Sequence, residues 1–313
     1  MSTIVAAAPG LFTTVQDLGR EGFGPLGVSP SGAADPISLR IGNRLVGNSE
    51  GMAALEMTLV GGAFTFEAAA LIALTGADFG ASIDGVSLPA WSSVEVQPGQ
   101  TVAFGPSRSG ARAYLCVQRG ISVAPFLGSA STHVLSGLGG FEGRALRKGD
   151  RLEVGAGSPV VRKRTLAPKM LERFQPRKVI RVVDGPQSDW FANSAWQTFC
   201  DGAFRVTEQS NRMGIRLEGP SIPLDLSREM ITEGVSLGAV QVPPSGQPII
   251  LFVDQQTTGG YPKIANVISA DVHSLGQLRP RDVIRFERIE MSAARSLLLE
   301  QEALLASKEL IQE

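Results

Sequence analysis

The sequence predicts a mainly β protein built from barrels or sandwiches. Short runs of β-forming residues recur between turn residues throughout the 313 residues, which include 36 Gly and 19 Pro. The runs are 63–66, 70–75, 94–96, 101–104, 113–117, 180–183, 205–206 and 283–286. Regularly spaced short strands of this kind are typical of closed or stacked sheets, and the length predicts about two domains.

Composition excludes several classes of protein. Hydrophobic residues make up 43% and charged residues 19%, with a net charge of −1, so the chain is neither disordered nor generally attracted to nucleic acid or an anionic membrane. No apolar stretch approaches the ~20 residues needed to cross a bilayer, and the N-terminus lacks a basic region followed by an apolar core. We expect a cytoplasmic chain whose partner is a small molecule or another protein.

Cysteine and histidine are too sparse to predict a metal site. Cys116 and Cys200 lie among apolar or aromatic neighbours, and neither belongs to a Cys-x-x-Cys pattern. His133 and His273 lack the spacing of zinc ligands. We therefore expect structural thiols and no metal ligand.

One sequence pattern occurs three times, at 96–104, 146–154 and 278–286. Each copy predicts a turn that leads into an alternating strand. The last two copies suit the closing strands of two related halves. A turn sequence used three times independently explains them equally well.

Three helices and a basic segment divide the chain. Asp35 and Pro36 supply an N-cap and a first-turn proline for a helix over 36–46. Further helices are predicted over 188–199 and from 290 to the end. Seven basic residues and one acid at 162–178 indicate a solvated linker. The predicted domains are 1–165, a linker at 166–178, a second domain at 179–289 and a C-terminal helix at 290–313.

The segment 254–263 is the strongest candidate for a site. It places a carboxylate, two amides, two hydroxyls, a phenol and an amine within ten residues, between the apolar runs 249–253 and 264–268. This pattern predicts a polar loop at the end of a hairpin. Gly259-Gly260 would allow positive φ and close approach to a ligand.

A second polar cluster at 13–20 uses the same residue types. Downstream of it, a Gly/Ser loop at 27–35 leads into the first predicted helix, whose N-terminus could bind an anion, although Asp35 would compete. The sequence contains no phosphate-binding loop motif, no Gly-x-Ser-x-Gly elbow and no Met-Lys-Met, so we expect no covalent biotin on this chain.

Several motifs together resemble the allophanate hydrolase subunit 2 family. They lie at 9–20, 27–35, 43–48, 54–58, 212–217, 233–234, 241–248 and 256–262. This family includes the C subunit of 5-oxoprolinase, the Kip-type kinase regulators and part of the carboxyltransferase region of urea carboxylase. The resemblance covers about residues 5 to 288. Arg119 departs from the pattern, since glycine is common there.

The resemblance implies two cyclophilin-like β-barrel domains with few short helices, and a separate partner, the B subunit. In a prokaryotic 5-oxoprolinase, the B and C subunits act with an A subunit to open 5-oxo-L-proline to L-glutamate, using ATP with magnesium. Three functions are therefore compatible with these motifs. They are a 5-oxoprolinase subunit that is inactive alone, a carboxyltransferase or urea amidolyase-type subunit, and a non-catalytic Kip-type regulator that binds a kinase-inhibitor partner.

Side-chain chemistry suggests roles for the two polar clusters. Asp17 and Asp254 are candidates for base or orienting roles. The residues expected to contact a lactam or amide substrate are Gln16, Arg20, Arg212, Gln256, Thr257, Thr258, Gly259, Gly260, Tyr261 and Lys263, with the cations serving anionic groups. We expect both clusters to face one shared cleft near the interface with the B subunit.

Overall fold

The computed structural model describes residues 2–155, 157, 160–225 and 227–313. Residues 1, 156, 158 and 159 of the predicted first domain, and 226 of the second, lie outside the described residues. The chain forms two compact units. The first holds the described residues up to Arg20, Ser31–Gln175 and Leu305–Glu313; the second holds Glu21–Pro30 and Pro176–Leu304.

Strands supply most of the regular structure. In chain order they are β1 Ser2–Ala8, β2 Phe12–Gln16, β3 Ala54–Thr58, β4 Ala63–Phe66, β5 Ala70–Asp78, β6 Ser82–Ile83, β7 Val86–Ser87, β8 Ser93–Val96, β9 Thr101–Ala103, β10 Ser109–Val117, β11 Ile121–Ser122, β12 Arg151–Val154, β13 Thr165–Leu166, β14 Val179–Asp184, β15 Phe204–Val206, β16 Gly214–Glu218, β17 Glu233–Gly234, β18 Ala239–Gln241, β19 Ile249–Leu251, β20 Thr258–Gly259, β21 Lys263–Val267, β22 Val283–Arg288 and β23 Ile311–Gln312.

Helices are few, as predicted. They are α1 Pro36–Leu45, α2 Pro168–Arg173, α3 Asn193–Asp201, α4 Val272–Gly276 and α5 Met291–Ala306. The predicted helix over 188–199 is divided, because a 3₁₀ turn at Ser188–Trp190 precedes α3. The C-terminal helix ends at Ala306, and β23 follows it.

The first unit has its core between two sheets. Seven strands pair in the order β11-β12-β1-β4-β9-β6-β7, and five pair in the order β2-β3-β10-β5-β8. Side chains from both sheets, such as Ile4 and Phe64 from one and Val15 and Leu115 from the other, are fully buried in one apolar cluster. Alternate residues of β5 (Ala70, Ile72, Leu74) and of β10 (Ala113, Leu115, Val117) belong to this cluster, so one face of each strand is turned towards it.

The sequence pattern that occurs three times forms the same turn in each copy. Two hydrogen bonds join the first and fourth residues of each turn. The backbone N–H of the fourth donates to the carbonyl of the first, and the side chain of the fourth accepts the N–H of the first. The pairs are Gln97 with Gln100, Arg147 with Asp150, and Arg279 with Asp282. The third residue has positive φ each time, at Gly99 (85°), Gly149 (90°) and Arg281 (74°). The turn prediction is confirmed for all three copies.

The second unit contains a closed barrel. Its strands follow the order β14-β21-β18-β19-β16-β15-β22, and the parallel pairing of β14 with β22 closes the ring. Phe199 from α3 stacks on Phe286 from β22 at 4.2 Å between ring centroids, beside Phe204 from β15. This aromatic cluster buries α3 against the barrel, as the apolar side of the predicted helix indicated.

The basic segment at 162–178 has more structure than a solvated linker, although six of its seven cations are exposed and the first unit gives way to the second between Gln175 and Pro176. Part of it is α2, which buries Met170, and Phe174 beyond it is buried too. β13 pairs with β23, and Lys169 forms an ion pair with Glu309 from the chain's end. Local sequence gives no sign of this ion pair, because Glu309 lies 140 residues from Lys169.

The mainly β fold class with few helices is confirmed. A closed barrel is present in the second unit, whereas the strands of the first unit form two sheets around one core. Among the residues that the structure describes, every helix is too short or too polar to span a bilayer.

Candidate functional site

The polar loop 254–263 is not the tip of a hairpin, contrary to the prediction. β18 lies between β19 and β21 and pairs with both, so the two apolar runs flanking the loop are not neighbours in the barrel. The middle of the loop instead forms β20, which pairs with β17. We call this two-stranded element, Glu233–Gly234 with Thr258–Gly259, the flap.

Four side chains form a row across adjacent barrel strands. Arg216 on β16 is paired with Ile249 on β19, Ile249 with Gln241 on β18, and Gln241 with Lys263 on β21. Directly paired residues on neighbouring strands share a face, so the row places an amide between an apolar side chain and an ammonium. Gln241 and Lys263 are each only 2% exposed.

A β-bulge orients the buried end of this row. Val240 pairs with Ala265 but Gln241 pairs with Lys263, so Ile264 is an extra residue on β21. Bulges re-aim side chains and are frequent beside functional sites. The bulge brings Gln241 and Lys263 opposite one another at the strand end, where the loop 254–263 meets β21.

The Lys263 ammonium is paired with the flap. Its Nζ lies 2.6 Å from Glu233 Oε1, and Gln187 Nε2 donates to the same oxygen at 2.9 Å. Donation from Lys263, followed by that from Gln187, holds the pKa of the Glu233 carboxyl below its ordinary value. Apart from this carboxylate, Nζ has no hydrogen-bond partner among the described residues.

Gln241 lies under the other half of the flap. Its Nε2 is buried and has no hydrogen-bond partner among the described residues. A Cβ on Gly259 would stand 2.4 Å from this nitrogen and 3.1 Å from Gln256 Nε2. The absence of a side chain at Gly259 therefore lets both amides pack against its backbone.

The prediction of positive φ at Gly259-Gly260 was wrong. Neither glycine has positive φ. Gly259 is required because of close approach, as predicted, although the approaching groups are protein amides. A Cβ on Gly260 would meet nothing closer than Thr232 Oγ1 at 3.4 Å, which is an ordinary contact.

Two adjoining cavities open beside the flap. The smaller, about 140 Å³, is lined by Gln241, Gln256, Tyr261 and Arg216 among others. The larger, about 720 Å³, shares Arg216 and Tyr261 with it. Two of the predicted loop residues, Gln256 and Tyr261, thus face a cavity. Thr258 is exposed in β20, and the Thr257 carbonyl accepts the Val235 N–H.

The start of the loop is fixed by a buried ion pair. Arg212 donates from Nε to Asp254 Oδ2 at 2.7 Å and from Nη2 to Oδ1 at 3.1 Å, and both residues are below 8% exposed. The Asp254 N–H also donates to the Arg212 carbonyl at 2.8 Å. The structure therefore joins the predicted base to one of the predicted anion-binding cations, and the pair anchors the loop to the turn before β16.

The N-terminal polar cluster lies in the first unit, and its carboxylate is surrounded by donors. Asp17 accepts hydrogen bonds from the hydroxyls of Ser129 and Ser131 and from the N–H groups of Ala130 and Gly19. Three of these bonds join the end of β2 to the segment 129–131, and the fourth, from Gly19, is local. In this structure Asp17 holds two segments of the unit together.

Arg20 and Gln16 make contacts within the same unit. Arg20 is 2% exposed, donates to the Ser131 carbonyl and lies over the Phe126 ring at 5.5 Å. Gln16 Nε2 donates to the Thr132 carbonyl at 3.1 Å. The expectation that this cluster and the loop 254–263 face one cleft stays a prediction, because the two lie in different units.

The predicted anion site at the N-terminus of α1 is wrong. Asp35 caps the helix, accepting from the Ser38 N–H at 3.0 Å, and Glu56 Oε2 accepts the Ala34 N–H at 2.8 Å. Two buried carboxylates therefore occupy the place that an anion would take. Within the described ranges, no three histidine, cysteine, aspartate or glutamate side chains are grouped to hold a metal ion.

Sequence reasoning missed Gln241 and Glu233 as site residues. Both belong to motifs that carry the family resemblance, but neither lies in a dense polar cluster. Glu233 reaches Lys263 from 30 residues away, and Gln241 faces the flap because of a bulge. A Gln at the end of an otherwise apolar strand, Ala239–Gln241, was the available signal.

The chain belongs to the carboxyltransferase domain family, subdomain A and B, whose model matches residues 26–288. It is 39% identical to the C subunit of 5-oxoprolinase from Escherichia coli over 91% of each chain, and 38% identical to the C subunit of 5-oxoprolinase from Haemophilus influenzae over 93% of each. The solved structure of K. lactis urea amidolyase superimposes with a TM-score of 0.90 at 30% identity. That match covers 99% of this chain and 21% of the amidolyase chain.

Proposed function

We propose that this chain is the C subunit of a prokaryotic ATP-dependent 5-oxoprolinase, where it acts with the A and B subunits. The observation that carries the proposal is the 39% identity to the C subunit of Escherichia coli 5-oxoprolinase over 91% of both chains. The match extends through both compact units rather than one of them. In this proposal the chain works in the cytoplasm and is inactive alone.

The proposed reaction is the opening of a lactam ring. The C–N bond breaks, the carbonyl carbon gains the hydroxyl of water, and the nitrogen gains a proton, which converts 5-oxo-L-proline to L-glutamate. Negative charge develops on the carbonyl oxygen as water adds, so fixed donors near that oxygen stabilise the transition state. A site with buried donors, such as the one beside the flap, suits this chemistry.

The residues predicted from the sequence keep roles in the proposal. Gln256, Thr257 and Thr258 are proposed to hydrogen-bond the substrate from the loop, and Lys263 to bind an anionic or carbonyl oxygen. Five other predicted residues, which are engaged in contacts within their own units, are proposed to orient these segments: Gln16, Asp17, Arg20, Arg212 and Asp254.

ATP with magnesium is the proposed co-substrate of the assembled enzyme. The larger cavity carries three guanidinium groups, including those of Arg205 and Arg281, but also the carboxylates of Glu208 and Glu218. Arg281 is already paired with Glu208 at 3.0 Å. This lining does not fit a phosphate-binding site, and we derive no step through ATP on this chain.

Carboxyl transfer is the second candidate function. The observation in its favour is the superposition on K. lactis urea amidolyase over 99% of this chain, together with membership of a carboxyltransferase domain family. This function would require a partner that carries biotin and a substrate such as urea. Urea and a lactam share an amide carbonyl, so one site could serve either molecule.

Co-purification with the products of neighbouring genes tests both candidates. ATP hydrolysis by the complex is measured without substrate, with 5-oxoproline and with urea. We expect stimulation by 5-oxoproline and formation of glutamate. Stimulation by urea in a complex that contains biotin would favour carboxyl transfer, and a stable complex without stimulation would favour the Kip-type regulatory function.

A further inference from the structure

Two buried donors without adequate acceptors lie side by side under the flap. Gln241 Nε2 has no hydrogen-bond partner, and Lys263 Nζ has only the Glu233 carboxylate, among the described residues. An ammonium has three N–H donors, and a buried amide NH₂ has two. Leaving such groups unsatisfied destabilises a folded protein, so their presence indicates a missing acceptor.

The two donors belong to one place in the fold. Gln241 and Lys263 are directly paired on β18 and β21. Above them, Gly259 of the flap packs on the Gln241 amide, and its own partner in the flap, Glu233, reaches Lys263. One strand of the flap thus contacts Gln241 and the other contacts Lys263, so the flap covers both donors.

The flap is held in place by few interactions. The flap has two residues in each strand, and a two-stranded element of this size has marginal stability of its own. Glu233 is 43% exposed on its side chain, so its ion pair with Lys263 is partly solvated. An entering oxygen could replace the Glu233 carboxylate on Lys263 without leaving that carboxylate buried and unpaired.

The adjoining cavity suits a small ligand. Its volume is about 140 Å³, against about 720 Å³ for the larger cavity beside it. Gln241 and Arg216, which belong to the same row, both line it. A guanidinium at that position suits a carboxylate.

We propose that Gln241 and Lys263 form an oxygen-binding subsite, closed by the flap, for the carbonyl group of a small amide or lactam. Both donors point at one carbonyl oxygen, while Arg216 receives a carboxylate if the ligand has one. The Glu233 carboxylate pairs with the Lys263 ammonium when no ligand is bound. The choice of a lactam rests on the proposed function, whereas the subsite itself does not.

Substitution of Gln241 separates this role from a structural one. Gln241→Met removes an unsatisfied buried donor, so the melting temperature of the free chain is expected to stay unchanged or rise. Gln118→Met is the matched control, since Gln118 donates to the Val46 carbonyl and accepts from the Val160 N–H. This control is expected to lower the melting temperature and leave ligand binding unchanged.

Calorimetric titration with 5-oxoproline and with urea tests the subsite. The titrations use the full chain alone and the chain co-purified with its partner subunits. We expect Gln241→Met and Lys263→Met each to weaken binding of a carbonyl ligand by at least about tenfold, which is the loss of one buried hydrogen bond. Tighter binding of 5-oxoproline than of urea would support the contribution of Arg216.

Three results would overturn the proposal. The first is that both variants bind the ligands as tightly as wild type. The second is a fall in the melting temperature of Gln241→Met like that of the control, and the third is that neither 5-oxoproline nor urea binds any form of the wild-type protein.

The activity assay distinguishes failure of the subsite from failure of the proposed function. If the Gln241→Met complex hydrolyses ATP in response to 5-oxoproline as strongly as the wild-type complex, the proposed function stands and the proposed subsite is wrong.

Discussion

The buried pair Arg212–Asp254 provides a quantitative test of what fixes the loop. Both side chains are at most 8% exposed, and two hydrogen bonds join them. Asp254→Asn keeps the size of the side chain but leaves the Arg212 cation buried beside a neutral group. Removing one charge from a buried pair costs about 3–5 kcal/mol. For a domain of this size, such a loss lowers the melting temperature by roughly 6–20 °C.

The exposed pair Arg281–Glu208 is the matched control. Its side chains are 83% and 65% exposed, and the pair is closed by one contact at 3.0 Å. Glu208→Gln is expected to cost less than about 1 kcal/mol, because solvent screens exposed ion pairs. Differential scanning calorimetry of both variants gives the comparison. Equal losses from Asp254→Asn and Glu208→Gln would refute the argument that burial makes the loop anchor strong.

Three further predictions follow from the flap and the repeated turn. Gly259→Ala places a Cβ 2.4 Å from Gln241 Nε2, so we expect at least about tenfold weaker ligand binding and a loss of stability of about 1–3 kcal/mol; an unchanged affinity would contradict this. The depressed pKa of Glu233 means that its pairing with Lys263 stabilises the fold above about pH 4.3, the ordinary range for Glu, and that this contribution disappears as the pH falls through the lowered pKa. Melting temperatures measured from pH 7 to 3 should therefore converge for wild type and Lys263→Met, and a constant difference would argue against the pair. Arg281→Gly is expected to raise the free energy of unfolding by about 0.5–1 kcal/mol in chemical denaturation, because Arg281 has φ of 74° where glycine suits the turn, and a loss of stability would show that its side chain matters more than its backbone.

Local signals in the sequence predicted the elements that depend on neighbouring residues. α1 was predicted over 36–46 and is found at Pro36–Leu45, because the Asp35 cap and Pro36 act within one turn. The strand at 63–66 is found at Ala63–Phe66 for a similar reason: alternation and flanking turns are local features.

Pairing between distant strands could not be predicted in the same way. The runs on either side of the loop 254–263 suggested a hairpin, but β18, which precedes both, separates them in the barrel. No residue inside the loop indicates that β18 lies between the two flanking strands. The expectation of positive φ at Gly259 had the same origin, because the reason for a glycine there is the amide of Gln241, 18 residues earlier.

Backbone geometry also explains a departure from the family pattern. Arg119 stands where glycine is common, and its φ is 73°, in the left-handed region that favours glycine. Its Nη1 donates to the Gly157 carbonyl at 2.6 Å, a contact that a glycine could not make. The family pattern at this position therefore reflects backbone conformation, which sequence alone did not show.

The site was predicted only in part. Gln256, Tyr261 and Lys263 lie at the cavity or under the flap, as a dense polar loop suggested. The two residues that complete it, Gln241 and Glu233, come from other strands. Their importance depends on an unsatisfied donor and an ion pair, which only a three-dimensional structure reveals.

The most direct test is 5-oxoproline-dependent ATP hydrolysis by the chain assembled with the A and B subunits. We expect the wild-type and Gln118→Met complexes to respond equally to 5-oxoproline. The Gln241→Met complex should lose at least about tenfold of this activity while its melting temperature is unchanged or higher. A wild-type complex that does not respond to 5-oxoproline, or a Gln241→Met complex as active as wild type, would contradict the account.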